Sequence, residues 1–166
     1  MGFKLGNIDV DKIYLGSTEI TKAYIGTQEV LNEVPVDSNL ILNGTFDNAD
    51  NLTVPATWNL TGGTANYTRA GEDFFILELS ENITIGDTIE LTFDISNTTL
   101  SGARLRVHIS DVGAEYIAEM AMYQNGNHTV THTITTDTSD KISIRGSNSG
   151  GGGEFSLDNV TLIKTN

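Results

Sequence analysis

A two-residue alternation runs through most of this chain. In Arg104-Leu105-Arg106-Val107-His108-Ile109 the odd positions are apolar and the even ones polar, which suits a strand with one buried face. Thr88-Ile89-Glu90-Leu91-Thr92-Phe93-Asp94-Ile95 and Ile76-Leu77-Glu78-Leu79 alternate in the same way, and Val130, His132 and Ile134 oppose Thr129, Thr131 and Thr133. Leu40-Ile41-Leu42, the pair Ile142 and Ile144, and Phe155–Leu162 add further strand cores. Chain-reversing residues separate them: 17 Gly and 15 Asn, beside 22 Thr that favour strands. The pattern predicts an all-β fold of about seven or eight strands, a sandwich or jelly roll. Ala114–Tyr123 is the ambiguous stretch, because Tyr116, Met120 and Tyr123 fit helical spacing. Its neighbours are strands, so a strand is expected, with a single helical turn as the alternative.

The first thirty residues carry an internal repeat. Asp11-Lys12-Ile13-Tyr14-Leu15-Gly16-Ser17-Thr18-Glu19-Ile20 is followed at once by Thr21-Lys22-Ala23-Tyr24-Ile25-Gly26-Thr27-Gln28-Glu29-Val30. A worn copy, Leu5-Gly6-Asn7-Ile8-Asp9-Val10, precedes them, so glycines fall at positions 6, 16 and 26. Each unit reads as a short strand, a Gly-led turn and another short strand, together a small β-meander. Arms of about four residues bury little by themselves. The segment therefore needs cover, either from the rest of the chain or from an assembly to which it anchors. In the second case Tyr14, Leu15, Gly16, Tyr24, Ile25 and Gly26 would supply the repeated contacts, and a homo-oligomer is expected.

Residues 32–38, with Pro35, read as a connector, giving two domains at 1–34 and 35–166. Of the 22 acids and 9 bases, the second domain holds 17 and 6, so the acidity resides there. A pI near 4.3 argues against nucleic-acid partners. No apolar run approaches the roughly 20 residues of a membrane helix, so membrane insertion is not expected. The opening residues lack the basic head and apolar stretch of a secretory leader. Zero Cys excludes thiol chemistry and disulfides.

The repeat "K-I-Y-L-G-S-T-E-I-x-K-x-Y-I-G-T" resembles one found in the tail, baseplate and fibre proteins of tailed bacteriophages. That resemblance covers residues 3–31. It implies a structural protein on the surface of a virion, with other virion proteins as partners, and, because fibre-like phage proteins commonly wind around a three-fold axis, a trimer as the favoured homo-oligomer.

The second domain carries another resemblance. "N-L-I-L-N-G-T-F-D" at its start and "F-S-L-D-N-V-T-L" at its end are similar to carbohydrate-binding jelly rolls that accompany glycoside hydrolases. Such domains often hold a structural Ca²⁺ where first and last strands meet. The matching positions are Asp47 and Asp158, with the Thr45 carbonyl, and hard oxygen donors suit that ion. The alternative is that Asp158 bonds neighbouring backbone amides. Cell-surface glycans are the implied partners. Pyranose faces stack on exposed aromatics, which brings in Trp58, Tyr67, Tyr116 and Tyr123, while Arg104 and Arg106 offer bidentate hydrogen bonds from one strand face. For Trp58 the core is the favoured place.

Catalysis is not expected. Seventeen acids will always offer some pair of carboxylates, so no pair points to glycoside hydrolysis. His128 and His132 stand four apart on a strand, about 13 Å, too far to share a metal ion. Ser149-Gly150-Gly151-Gly152-Gly153 leads into a strand and is no phosphate loop. Eight Asn-x-Thr triplets, against about three by chance, read as turn Asn followed by strand Thr rather than as glycosylation sites. The reading is a virion structural protein with an outward jelly roll that touches host glycans. The alternative is a non-catalytic carbohydrate-binding module of a secreted glycan-degrading system.

Overall fold

A computed structural model describes residues 3–5, 8–10, 14–15, 18–19, 22–25, 28–32, 39–110 and 115–165. The chain divides into two compact units, Met1–Val36 and Asp37–Asn166. No helix is present among the described residues.

In the first unit the strands fall on either side of positions 6, 16 and 26, as the repeat predicts. β1 (Phe3–Leu5) pairs with β2 (Ile8–Val10), β3 (Tyr14–Leu15) with β4 (Thr18–Glu19), and β5 (Lys22–Ile25) with β6 (Gln28–Asn32). Each pair is its own two-stranded sheet, so the repeat builds three hairpins in series. Tyr14, Leu15, Tyr24 and Ile25 lie on these strands, whereas Gly16 and Gly26 lie outside the described residues.

The second unit is a jelly-roll sandwich of two five-stranded antiparallel sheets. Its strands are β7 (Leu52–Thr53), β8 (Trp58–Thr61), β9 (Thr64–Tyr67), β10 (Phe74–Ile83), β11 (Thr88–Ser96), β12 (Ala103–Ile109), β13 (Tyr116–Tyr123), β14 (Gly126–Thr133), β15 (Ser139–Gly146) and β16 (Phe155–Lys164). One sheet runs β13-β12-β15-β10-β7 and the other β14-β11-β16-β9-β8. The alternation becomes inner and outer faces. Ile89, Leu91, Phe93 and Ile95 of β11 meet Leu105, Val107 and Ile109 of β12 and Ile142 and Ile144 of β15 in one core. Each such side chain contributes about 1.5–3 kcal/mol by leaving water.

An aromatic cluster fills one end of that core. Trp58 stacks on Phe75 at 5.1 Å between ring centroids, with Tyr67 at 5.3 Å and Phe155 at 5.5 Å. The Tyr67 ring lies where a Cβ on residue 146 would come within 2.7 Å, which is why Gly146 ends β15. Trp58 and Tyr67 are 3% and 1% exposed. Neither can offer a face to a sugar, which corrects the glycan-stacking role expected of them: both rings are interlayer packing.

The ambiguous stretch is β13, a strand with two bulges. Leu105 pairs with Ala121, Val107 with Ala118 and His108 with Tyr116, so β13 inserts an extra residue twice against β12. Each insertion reverses the parity of the residues beyond it. A second irregularity lies in β16, where Asn159 takes a φ of 49° and the register slips against β11.

Candidate functional site

The outer face of the β13-β12-β15-β10-β7 sheet differs in chemistry from every other surface described. Register places its side chains in rows. Arg106 of β12 stands directly opposite Arg145 of β15, which stands opposite Phe74 of β10. One row along, Tyr116, His108, Ser143 and Ile76 follow across β13, β12, β15 and β10. In the other direction Met122 lies opposite Arg104. The backbones of Tyr116 and Phe74 stand three strand spacings apart, about 14 Å, and their rings lean in toward His108 between them.

The rings and guanidinium groups pack on one another. Arg106 lies over the Tyr116 ring at 4.4 Å, and Arg145 lies 5.7 Å from the Phe74 ring centre. The His108 ring sits edge-on between them, 4.8 Å from Tyr116 and 5.1 Å from Phe74. Glu72 accepts hydrogen bonds from Arg145 Nη2 and from the Ser147 hydroxyl at 2.8 Å. The Ser147 bond, aided by Arg145 against the opposing effect of burial, holds the Glu72 carboxyl below its ordinary value.

The Gly-rich tract has a packing role beside them. A Cβ on residue 150 would fall 1.5 Å from Arg104 Nη1, and one on residue 152 would fall 2.6 Å from Arg104 Cβ. Ser147 N donates to Arg104 O at 2.8 Å and Gly153 N to Gly102 O at 3.1 Å. The loop therefore seats Arg104 against bare backbone, at the corner of the face.

The face is rich in donors and poor in acceptors. Nε of Arg104, Arg106 and Arg145, and Ser143 Oγ, are buried without a hydrogen-bond partner among the described residues. The outer face of the other sheet is the reverse case, because its small polar groups satisfy one another. Thr92 and Thr161 hydroxyls meet at 2.5 Å, Thr88 and Thr133 at 3.2 Å, and Asn127 and Asn159 both donate to the Asp94 carboxylate. A depression of about 300 Å³ there, beside Asn66, Asn97 and Ser156, is closed in the same way: Asn97 donates to Ser156 and Ser156 to Asn66.

Of the expected glycan residues, Arg104, Arg106 and Tyr116 come together on this face. Tyr123 does not. Beyond the bulges it pairs with Ala103, and its ring packs between Phe93 and His128 at 5.2 and 5.0 Å, where burial raises its hydroxyl pKa. Sequence reasoning missed Phe74, Arg145 and Glu72. The doublet Phe74-Phe75 carried the signal, since adjacent strand residues must face opposite ways.

The residues expected at a calcium site have local partners. Thr45 Oγ1 donates to Asp47 Oδ2 at 2.7 Å, and the Thr45 carbonyl and Asp47 Oδ1 both border Gly63. Asp158 Oδ1 accepts from Asn159 N at 2.7 Å, within the β16 bulge. Among the described residues no three His, Cys, Asp or Glu side chains gather in a metal-binding group. His128 and His132 have separate partners, the Gln124 carbonyl at 2.8 Å and Glu115 at 2.9 Å.

No family model and no curated protein matches this sequence. Solved structures do. A CBM4 module superposes with a TM-score of 0.51 at 17% identity, covering 75% of this chain and 99% of its own. A xylan-binding module, CBM86, from Roseburia intestinalis follows at 0.49 and 17%, covering 70% and 89%. The second N-terminal cellulose-binding domain of Cellulomonas fimi β-1,4-glucanase C gives 0.47 and 15%, covering 79% and 98%. At such identities the likeness concerns the backbone alone, and the second unit has the jelly-roll sandwich fold that the CBM4 module shares.

Proposed function

We propose that residues 37–166 form a non-catalytic carbohydrate-binding domain that holds a glycan on the outer face of the β13-β12-β15-β10-β7 sheet. One observation carries this reading: the half-buried Tyr116 and Phe74 rings flank the buried His108 ring and interleave with Arg106 and Arg145 on a single sheet face. Rings stack on pyranose faces, and guanidinium groups hydrogen-bond sugar oxygens. The fold shared with a CBM4 module agrees with it. The test is electrophoresis of the full chain through gels containing a broad panel of soluble polysaccharides. At least one glycan should retard it, and Tyr116→Ala together with Phe74→Ala should abolish the retardation. A chain that no glycan retards, or whose retardation survives both substitutions, contradicts the reading.

A second reading is supported by the first unit, where three hairpins follow one another at ten-residue spacing. Two-stranded pieces of this size are marginal alone. In this reading they are the anchoring segment of a virion structural protein, and the jelly roll is displayed outward toward host glycans. Self-association through the repeat gives a trimer, which light scattering of the full chain would record as three times 17.9 kDa. A monomeric mass contradicts self-association.

A further inference from the structure

We infer that the glycan bound on this face is acidic, and that its oxyanion, a carboxylate or a sulfate ester on the sugar chain, is taken by Arg106 and Arg145 with Arg104 beside them. This rests on the glycan-binding reading and narrows it to a ligand class.

The arrangement of charge is the starting point. The second unit has 17 acids and 6 bases, yet four of those bases, Arg104, Arg106, Lys141 and Arg145, lie on the adjacent strands β12 and β15. Arg106 and Arg145 are direct cross-strand partners. Like charges placed this way, with Cβ atoms about 5 Å apart, destabilise a sheet. Among the described residues only one of the two is neutralised by a carboxylate: Arg145 is paired with Glu72, whereas Arg106 is held by the Tyr116 ring. Arg104 also acts on Glu72, lowering its pKa from a distance. Three guanidinium groups thus share one bonded carboxylate.

Hydrogen bonding points the same way. Each guanidinium has five donors and no acceptor. Three Nε atoms and the Ser143 hydroxyl are buried without an acceptor among the described residues, so a ligand meets the half-exposed guanidinium ends of Arg104, Arg106 and Arg145 rather than these atoms. A neutral sugar brings hydroxyls that donate as readily as they accept. A planar oxyanion brings acceptors only, in the geometry that a guanidinium fork matches. It would relieve the repulsion between Arg106 and Arg145 while the Tyr116 and Phe74 rings take the pyranose faces.

The net negative charge of the chain does not forbid this. At physiological ionic strength charges are screened over about 8 Å. An acidic chain at the face therefore meets the local cluster rather than the distant carboxylates.

The experiment is affinity electrophoresis of the full chain at 0.15 M salt through polygalacturonate, dextran sulfate and a neutral dextran. The expected result is retardation by polygalacturonate or dextran sulfate, with the neutral polymer at least tenfold weaker. Whichever acid acts identifies carboxylate or sulfate as the source. Arg106→Gln, which breaks no ion pair among the described residues, should weaken the acidic ligand about tenfold without lowering the melting temperature. Lys164→Gln removes the same charge at the far end of β16 and should leave binding as it was. Equal retardation by neutral and acidic polymers, unaffected by Arg106→Gln, overturns the inference and leaves the glycan reading standing. So does a loss from Lys164→Gln as large as that from Arg106→Gln, which would make the effect one of net charge. No retardation by any glycan overturns both.

Discussion

At the scale of single residues, Glu115 is the strongest device in the fold. Its side chain is nearly buried, at 7% exposure for the residue. The carboxylate accepts from the backbone N of Thr135, Thr136 and Asp137, from both threonine hydroxyls and from His132 Nε2, all at 2.6–3.0 Å. Burial alone would raise its pKa. The Asp137 amide, His132, the Thr136 amide and the Thr135 hydroxyl together overcome burial and hold it far below the ordinary carboxylate range. The folded value is depressed, so this stability is complete above the unfolded value of about 4.5 and is lost progressively as pH falls below it. Glu115→Ala leaves three part-buried backbone N–H groups without their charged acceptor and should cost about 3 kcal/mol in chemical denaturation at pH 7. It should also flatten the acid limb of the stability–pH profile between about pH 4.5 and 2, where the wild type keeps losing stability. An unchanged acid limb would mean that the clamp is not formed. Nothing in the sequence marked Glu115, because its partners lie about twenty residues away, His132 on β14 and Thr135, Thr136 and Asp137 on the unpatterned loop that follows it.

Elements were legible wherever the alternation is unbroken. The faces of β11 and β12 follow directly from parity, and so did the placing of Arg104 and Arg106 together. β13 was not legible, because a bulge leaves no mark in composition and each one reverses the parity beyond it. Tyr116 consequently faces out beside His108, while Tyr123 turns inward. Trp58 and Tyr67 stayed open to two readings, because a single strand does not reveal which of its faces meets the other sheet. The closing motif Leu157-Asp158-Asn159-Val160 encodes a bulge: Asn159 adopts a left-handed φ and its Nδ2 donates to Asp94 at 2.8 Å. Asn159→Val, a β-branched residue in that conformation, should cost about 2 kcal/mol, whereas Asn159→Gly should cost less than half as much. Equal losses in thermal denaturation would remove the φ argument. The calcium site that the resemblance implies belongs at this scale too, and we propose that Asp47 and Asp158 join the first segment of the sandwich to its last strand through the ion. Millimolar Ca²⁺ should raise the melting temperature and Asp47→Ala should abolish the rise. A melting curve indifferent to chelator and to Ca²⁺ removes the site.

For the whole second unit, two outer faces of one sandwich divide the chemistry between them. The β14-β11-β16 face closes its hydroxyls and amides on one another, and it explains the abundance of Thr and Asn without a ligand. The β12-β15-β10 face concentrates rings and guanidinium groups at a cost in cross-strand repulsion, and it leaves donors unmatched. Proteins keep such costs where binding repays them. The most direct measurement is a backbone amide NMR titration of the full chain with a glycan that retards it in the gel. Amides of Arg104–His108, Phe74–Ile76 and Ser143–Arg145 should shift together with one affinity, while Thr129–Thr133 and Thr88–Thr92 stay in place. Shifts confined to the threonine face would put the ligand on the other sheet and contradict a glycan site on the β12-β15-β10 face.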